Sequence, residues 1–144
     1  MSAGYSGTSL IKKLGLKSGM AIAFVDAPLN YMDTLGRLPD DVVVIWELNA
    51  PALAELGVAL DFIQFFSSEK TVLEAAFPIL KSTLPPDGML WISWPKKVSK
   101  VQTDLDENII RELGLSNGLV DVKVAAIDEI WSGLRFVYRL ADRQ

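Results

Sequence analysis

The sequence predicts an α/β fold of three layers, with about six strands that are mostly parallel and finish in a C-terminal antiparallel hairpin. Three observations predict it. Strand-type runs at 20–25 (MAIAFV), 42–46 (VVVIW), 60–66 (LDFIQFF) and 90–94 (LWISW) are separated by segments carrying helix start and stop signals, the order that builds parallel sheets. The first run shows no alternation of apolar and polar residues, as a central strand covered on both faces requires. The last third changes character: 120–124 (VDVKV) alternates strictly, 134–140 (LRFVYRL) nearly so, and the link at 128–133 has room for a hairpin and for no helix.

Each element has local reasons. Thr8 or Ser9 is placed to cap a short helix with Leu10, Ile11 and Leu14 as its apolar stripe, and Gly15 ends it. After the first strand, Asp26 or Ala27 precedes Pro28, a residue suited to a first helical position, so a helix is expected with Leu29, Met32 and Leu35 on its apolar face and Gly36 as its stop. The second strand ends on Glu47. A short helix is expected over 51–56, and Ser67-Ser68-Glu69 reads as the start of a longer one carrying Leu73, Ala76, Phe77, Leu80 and Leu84 on one face. Pro78 inside it removes a backbone donor. The Pro85-Pro86-Asp87-Gly88 turn fixes the start of the fourth strand and Pro95 ends it. A last helix carries Leu105, Ile109 and Leu113, with Gly114 as its expected terminator. Trp46 and Trp91, inside strands, are expected in the core.

Composition bounds the chemistry. The 144 residues fit one domain, 1–144 with 1–8 as an N-terminal arm, long enough to bury roughly two thirds of the unfolded surface. Half the residues are apolar and 22% are charged, which excludes a disordered chain. A net charge of -4 argues against non-specific nucleic-acid binding, because a phosphate backbone is held by a basic surface. With no cysteine and no histidine, disulfides, thiolate nucleophiles, the usual zinc ligands and a Ser-His-Asp triad are all excluded, and no metal is expected. Carboxylates, Lys and Tyr are left to act as acids or bases. No basic leader with an apolar core and no run of membrane-spanning length occurs, so a soluble, cytoplasmic protein without a membrane partner is expected.

The order of elements resembles the class I methyltransferase variant of the Rossmann fold, and the chain from Leu14 to Leu140 can be laid on it. The stretch between Glu47 and Leu60 holds a helix but no room for that family's usual third strand and second helix. The phrases GYSGT (4–8), SWPKK (93–97), GLVDVK (118–123) and WSGLRF (131–136) also look like a family of small bacterial proteins catalogued as a domain of unknown function, which implies no activity. The methyltransferase resemblance implies an acid at the end of the first strand, matched by Asp26, and an acid at the end of the second that would grip ribose hydroxyls, matched by Glu47. It also implies a glycine-rich turn after the first acid. Ala27 and Pro28 stand there instead, which disfavours S-adenosylmethionine as cofactor.

Parallel strands end at one edge, and the hairpin loop belongs there too. This gathers Asp26, Asn30, Glu47, Ser67, Trp94, Lys96, Lys97, Asp128, Trp131 and Ser132 on one rim as candidate ligand-binding residues. Trp94 and Trp131 would flank a planar ligand, and Lys96 and Lys97 would attract an anionic or nucleotide-like group. Alternatively the two Trp pack on each other and the two Lys pair with Asp128 and Glu129. Tyr5 and the Gly-rich arm could fold over the rim. Three function classes follow: a small-molecule-binding or sensing domain of degenerate methyltransferase-like form; an enzyme, either an S-adenosylmethionine-dependent methyltransferase with an altered loop or a transferase using Asp26 or Asp128 as base; and an interaction module forming a homodimer through a final hairpin strand left unpaired on one side.

Overall fold

The computed structural model describes residues 8–143, so all of the N-terminal arm except Thr8, Tyr5 included, lies outside the described residues. The chain runs α1 (Leu10–Leu14), β1 (Ala21–Val25), α2 (Tyr31–Leu35), β2 (Val43–Glu47), α3 (Ala50–Glu55), β3 (Phe62–Phe66), α4 (Lys70–Ser82), β4 (Met89–Pro95), α5 (Glu107–Ser116), β5 (Leu119–Ala126) and β6 (Trp131–Tyr138). The sheet has six strands in the order β2-β1-β3-β4-β6-β5. β1 to β4 are parallel, and β6 is antiparallel to both of its neighbours. This is the predicted fold class.

Two apolar cores sit on the two faces of the sheet. α3, α4 and α5 cover one with Leu53, Leu73, Phe77, Leu80 and Ile110 against Ile63, Phe65, Ile92 and Phe136. α1 and α2 cover the other with Leu14, Tyr31 and Leu35 against Ile22, Phe24, Phe62, Phe66 and Trp91. β3 is buried at all five positions because it is central and covered twice. Each large side chain buried this way contributes about 1.5–3 kcal/mol. Trp91 is fully buried, as expected, and its indole N–H donates to the Leu14 carbonyl at 3.0 Å, which ties the end of α1 to the sheet.

The structure corrects several expectations. α2 starts at Tyr31, because Pro28 to Asn30 form a turn in which the Tyr31 N–H donates to the Pro28 carbonyl. Its buried residues are Tyr31 and Leu35, one turn apart, whereas Leu29 and Met32 are exposed. Trp46 is also exposed, although its ring lies on Phe24 with centroids 4.7 Å apart. It stands on an edge strand with no further element covering it among the described residues. Gly114 does not stop α5; it lies inside the helix, where a Cβ would sit 2.0 Å from the Phe136 ring. The final strand is not the open edge either. β6 is inserted between β4 and β5, which leaves β5 and β2 as the edges.

Candidate functional site

The strand ends meet along one rim. Asp26 follows β1, Glu47 closes β2, Ser67 follows β3 and Trp94 to Lys97 continue β4. The β5–β6 hairpin turn joins them, because β6 starts opposite the end of β4 with Trp131 paired to Pro95. At the β1 end the Asp26 N–H donates to the Glu47 carbonyl at 2.8 Å, which closes the ladder between the two acid-bearing strands. Asp26 has a φ of 54°, a left-handed conformation that Asp tolerates better than most residues but that glycine takes freely. Burial raises its carboxyl pKa above the usual 3.8. Asn30 precedes α2 and is exposed, with no capping bond from its side chain.

The rim residues do not form one cluster, because strand alternation divides them between the faces. Trp94 belongs to the core under α3, α4 and α5, while Trp131 packs on the opposite core, its ring edge-on to Phe66 at 5.2 Å. The two Trp neither flank a common ligand nor pack on each other, since adjacent register positions carry them to opposite faces. Asp128 serves the hairpin: its Oδ1 accepts from the Ile130 and Trp131 N–H groups at 2.8 and 2.7 Å. Lys96 joins the same corner through its backbone, donating N–H to the Ile130 carbonyl at 2.7 Å. Among the described residues no ion pair links Lys96 or Lys97 to Asp128 or Glu129. The Ser132 hydroxyl donates to the Ala125 carbonyl at 3.4 Å.

A pocket of about 280 Å³ opens on the α3–α4 side of the rim. Its floor is Phe65. Leu48, Asn49, Ala50 and Pro51 form one wall, Val72, Ala75, Ala76 and Ile79 the other, and Asp26 stands at its end. Of the candidate ligand-binding residues, Asp26 alone lines it. The missed residues had a signal: Val72, Ala75 and Ile79 make a second apolar stripe along α4 at helical spacing, beside the stripe that enters the core. Leu48, an apolar residue just past a strand end, is another.

Two features around the pocket limit its chemistry. The N-terminus of α4 is already served, because Asp104 Oδ1 accepts from the Lys70 N–H at 2.7 Å and Thr103 donates to the Ser68 carbonyl at 2.7 Å. An anion there would meet the Asp104 carboxylate in the place that the helix dipole favours for negative charge. On the other face, the Tyr31 hydroxyl donates to Gln64 at 2.7 Å and Gln64 donates to the Ser93 hydroxyl at 3.0 Å, all three residues being buried. This chain is closed off from the pocket by the sheet.

No family model matches the chain, and no curated protein matches it by sequence. Solved structures do match. An S-adenosylmethionine-dependent methyltransferase from Aquifex aeolicus superposes with a TM-score of 0.59 at 17% identity, covering 88% of this chain and 86% of that one. A TehB-like methyltransferase from Corynebacterium glutamicum gives 0.57 at 12%, over 90% and 85%. Magnesium protoporphyrin IX methyltransferase from Synechocystis, solved with S-adenosylhomocysteine bound, gives 0.54 at 15%, over 90% and 78%. The chain has the Rossmann-like fold of these methyltransferases. At such identities the likeness is one of fold.

Whether an adenosylated cofactor fits can be judged from the residues present. An adenosine-sized group would meet the apolar walls and Asp26, while Glu47, at the end of β2, does not line the pocket. The methionyl part does not fit: Pro28 offers no N–H, Ala27 packs against the second core, and α2 begins only at Tyr31. No methyl-transfer step follows from these residues.

Proposed function

We propose that this chain is a small-molecule-binding domain of methyltransferase-like form, with its ligand in the pocket between α3 and α4. The observation that carries the reading is an apolar cleft at the C-terminal ends of parallel strands with one carboxylate, Asp26, at its end. At about 280 Å³ it lies just under the range of roughly 300–1,000 Å³ typical of small-molecule sites. The ligand class that suits it is flat, largely apolar, of nucleoside size and equipped with hydrogen-bond donors for Asp26. An anionic substituent would have to reach across the ends of β3 and β4, about 10 Å, to meet Lys96 and Lys97. The methyltransferase-like fold, with Glu47 beside Asp26, favours S-adenosylmethionine as the second reading.

The test is thermal unfolding with adenosine, other nucleosides, nucleotides, S-adenosylmethionine and S-adenosylhomocysteine. A ligand at about a hundred times its dissociation constant adds roughly 2.7 kcal/mol, a rise of several degrees in a domain of this size. A nucleoside-type shift that disappears in Ala75→Trp, where the exposed Ala75 is replaced by a ring that fills the cleft, supports the reading. A shift with the adenosyl compounds alone moves it to the methyltransferase alternative. No shift with any of them overturns both.

A further inference from the structure

The two edges of the sheet are built differently. At β5 the ladder with β6 is broken by an irregularity between Asp121 and Lys123, and Lys123 stands exposed on the strand with its Nζ donating to the Lys13 carbonyl. Bulges and edge lysines of this kind keep a strand from pairing with another chain. β2 has neither. Its register with β1 is unbroken from Val43 to Glu47, and Glu47 at its end is its one charged residue. Val43 is 58% exposed, Trp46 43%, Leu48 just beyond the strand 82%, and Met32 on the neighbouring α2 51%.

The backbone of β2 specifies what can join it. The Val43 N–H donates to the Met20 carbonyl, and the Glu47 carbonyl accepts from Asp26. Because backbone groups alternate sides along a strand, Val43, Ile45 and Glu47 turn theirs to β1, and Val44 and Trp46 turn theirs to the open side. We propose that β2 pairs antiparallel with β2 of a second copy of this chain, across a twofold axis at Ile45. In that register Val44 and Trp46 of one copy exchange both backbone hydrogen bonds with Trp46 and Val44 of the other. Each Val44 side chain then lies beside a Trp46 ring, a β-branched and aromatic pair of the kind that stabilises sheets. Glu47 faces Val43, so the two Glu47 carboxylates stay apart, and Leu48 faces Val42.

Neighbouring registers are worse. Sliding one copy by two residues sets Asp41 opposite Glu47, like charges across the ladder, and sliding the other way moves Val43 past the strand to face Asn49. Pairing of β2 with the β5 edge of another copy would propagate without closing, and the guarded β5 edge opposes it. The twofold pair closes on itself into a twelve-stranded sheet, twice the six of one chain. A five-residue strand with its few flanking apolar side chains buries less than the roughly 800 Å² per partner of a standard interface, so the dimer assembles at high concentration.

Sedimentation analysis of the whole chain, from micromolar to about 1 mM, the range that suits an interface of this size, tests the proposal. The expected result is a reversible monomer–dimer equilibrium. Val44→Pro deletes an outward N–H without touching the β1 ladder, and Trp46→Glu removes the aromatic partner; each is expected to weaken association at least tenfold, a loss of about 1.4 kcal/mol. Circular dichroism checks that each variant is folded, and Trp46→Glu keeps the test open where proline disturbs the strand. Val124→Lys, on β5, is expected to leave the equilibrium unchanged. A monomer at every concentration overturns the proposal, as does a dimer that Val124→Lys dissociates while Val44→Pro and Trp46→Glu do not.

Discussion

Tyr31 is buried with its hydroxyl donated to Gln64, and that bond links α2 to the centre of the sheet. Tyr31→Phe leaves the Gln64 oxygen buried without its donor, which is expected to cost about 1–3 kcal/mol in denaturant unfolding. Burial raises the Tyr31 pKa well above its ordinary 10.0, with the nearby Asp128 charge adding to the rise. A raised folded pKa favours the neutral phenol, so this contribution is complete below pH 10.0 and is lost as pH rises beyond it. Wild type is therefore expected to lose stability above that pH more steeply than Tyr31→Phe, and Tyr138, also raised by burial, accounts for a remaining slope. Asp26 follows the same sign at acid pH. Its raised carboxyl pKa means that the neutral form is favoured and that stability is lost as pH rises through the folded value. Asp26→Asn keeps a residue that tolerates the left-handed φ, so at pH 7 it is expected to match or exceed wild type in thermal unfolding, with the difference vanishing below 3.8.

Helices and strands show how far local signals carry. Glycine inside α5 is unfavourable by about 1 kcal/mol relative to alanine, yet Gly114 lets the helix backbone lie on Phe136, whose ring stacks edge-on to Phe77 at 5.4 Å. Gly114→Ala gains helix propensity but drives a Cβ into that ring, and overpacking of this kind costs about 1–3 kcal/mol. A net loss of stability is expected, partly recovered by Phe136→Leu in the same chain, so that a double-mutant cycle shows coupling between the two positions. The sequence reads Gly114 as a stop because glycine near the end of an apolar pattern usually is one. α4 offers the complementary case. Its start is legible from Ser67-Ser68-Glu69, but the cap on the Lys70 N–H comes from Asp104, 34 residues away. Gly15, by contrast, acts where the sequence places it, since a C-cap needs only its own helix, whereas α5 begins at Glu107 behind the Asp106 cap and so leaves Leu105 outside the helix that the pattern assigns it to.

At the scale of the whole molecule, the rim is the feature that sequence and structure share. Its membership follows from the order of strands, so pattern alone assigns Asp26, Glu47, Trp94, Lys96 and Asp128 to one edge, and they lie there. Their division between two faces was not legible, because a shift of one register position moves a side chain across the sheet. The ligand cleft was not legible for a related reason: a pocket is the space left between two helices, and the facing surfaces of α3 and α4 are set by how each docks on β1 and β3. The ligand-induced stabilisation expected for that cleft is correspondingly a property of the assembled fold, which is why a thermal shift and its loss in Ala75→Trp are the informative pair. What the sequence determined by itself is the α/β class, the places of the six strands, the closing hairpin and the absence of cysteine and histidine chemistry. Those depend on local propensity and periodicity. The insertion of β6 between β4 and β5, the exposure of Trp46 on an open edge and the cleft beside Asp26 were decided only in three dimensions, where packing between residues distant in the chain selects among arrangements that local preference leaves equal.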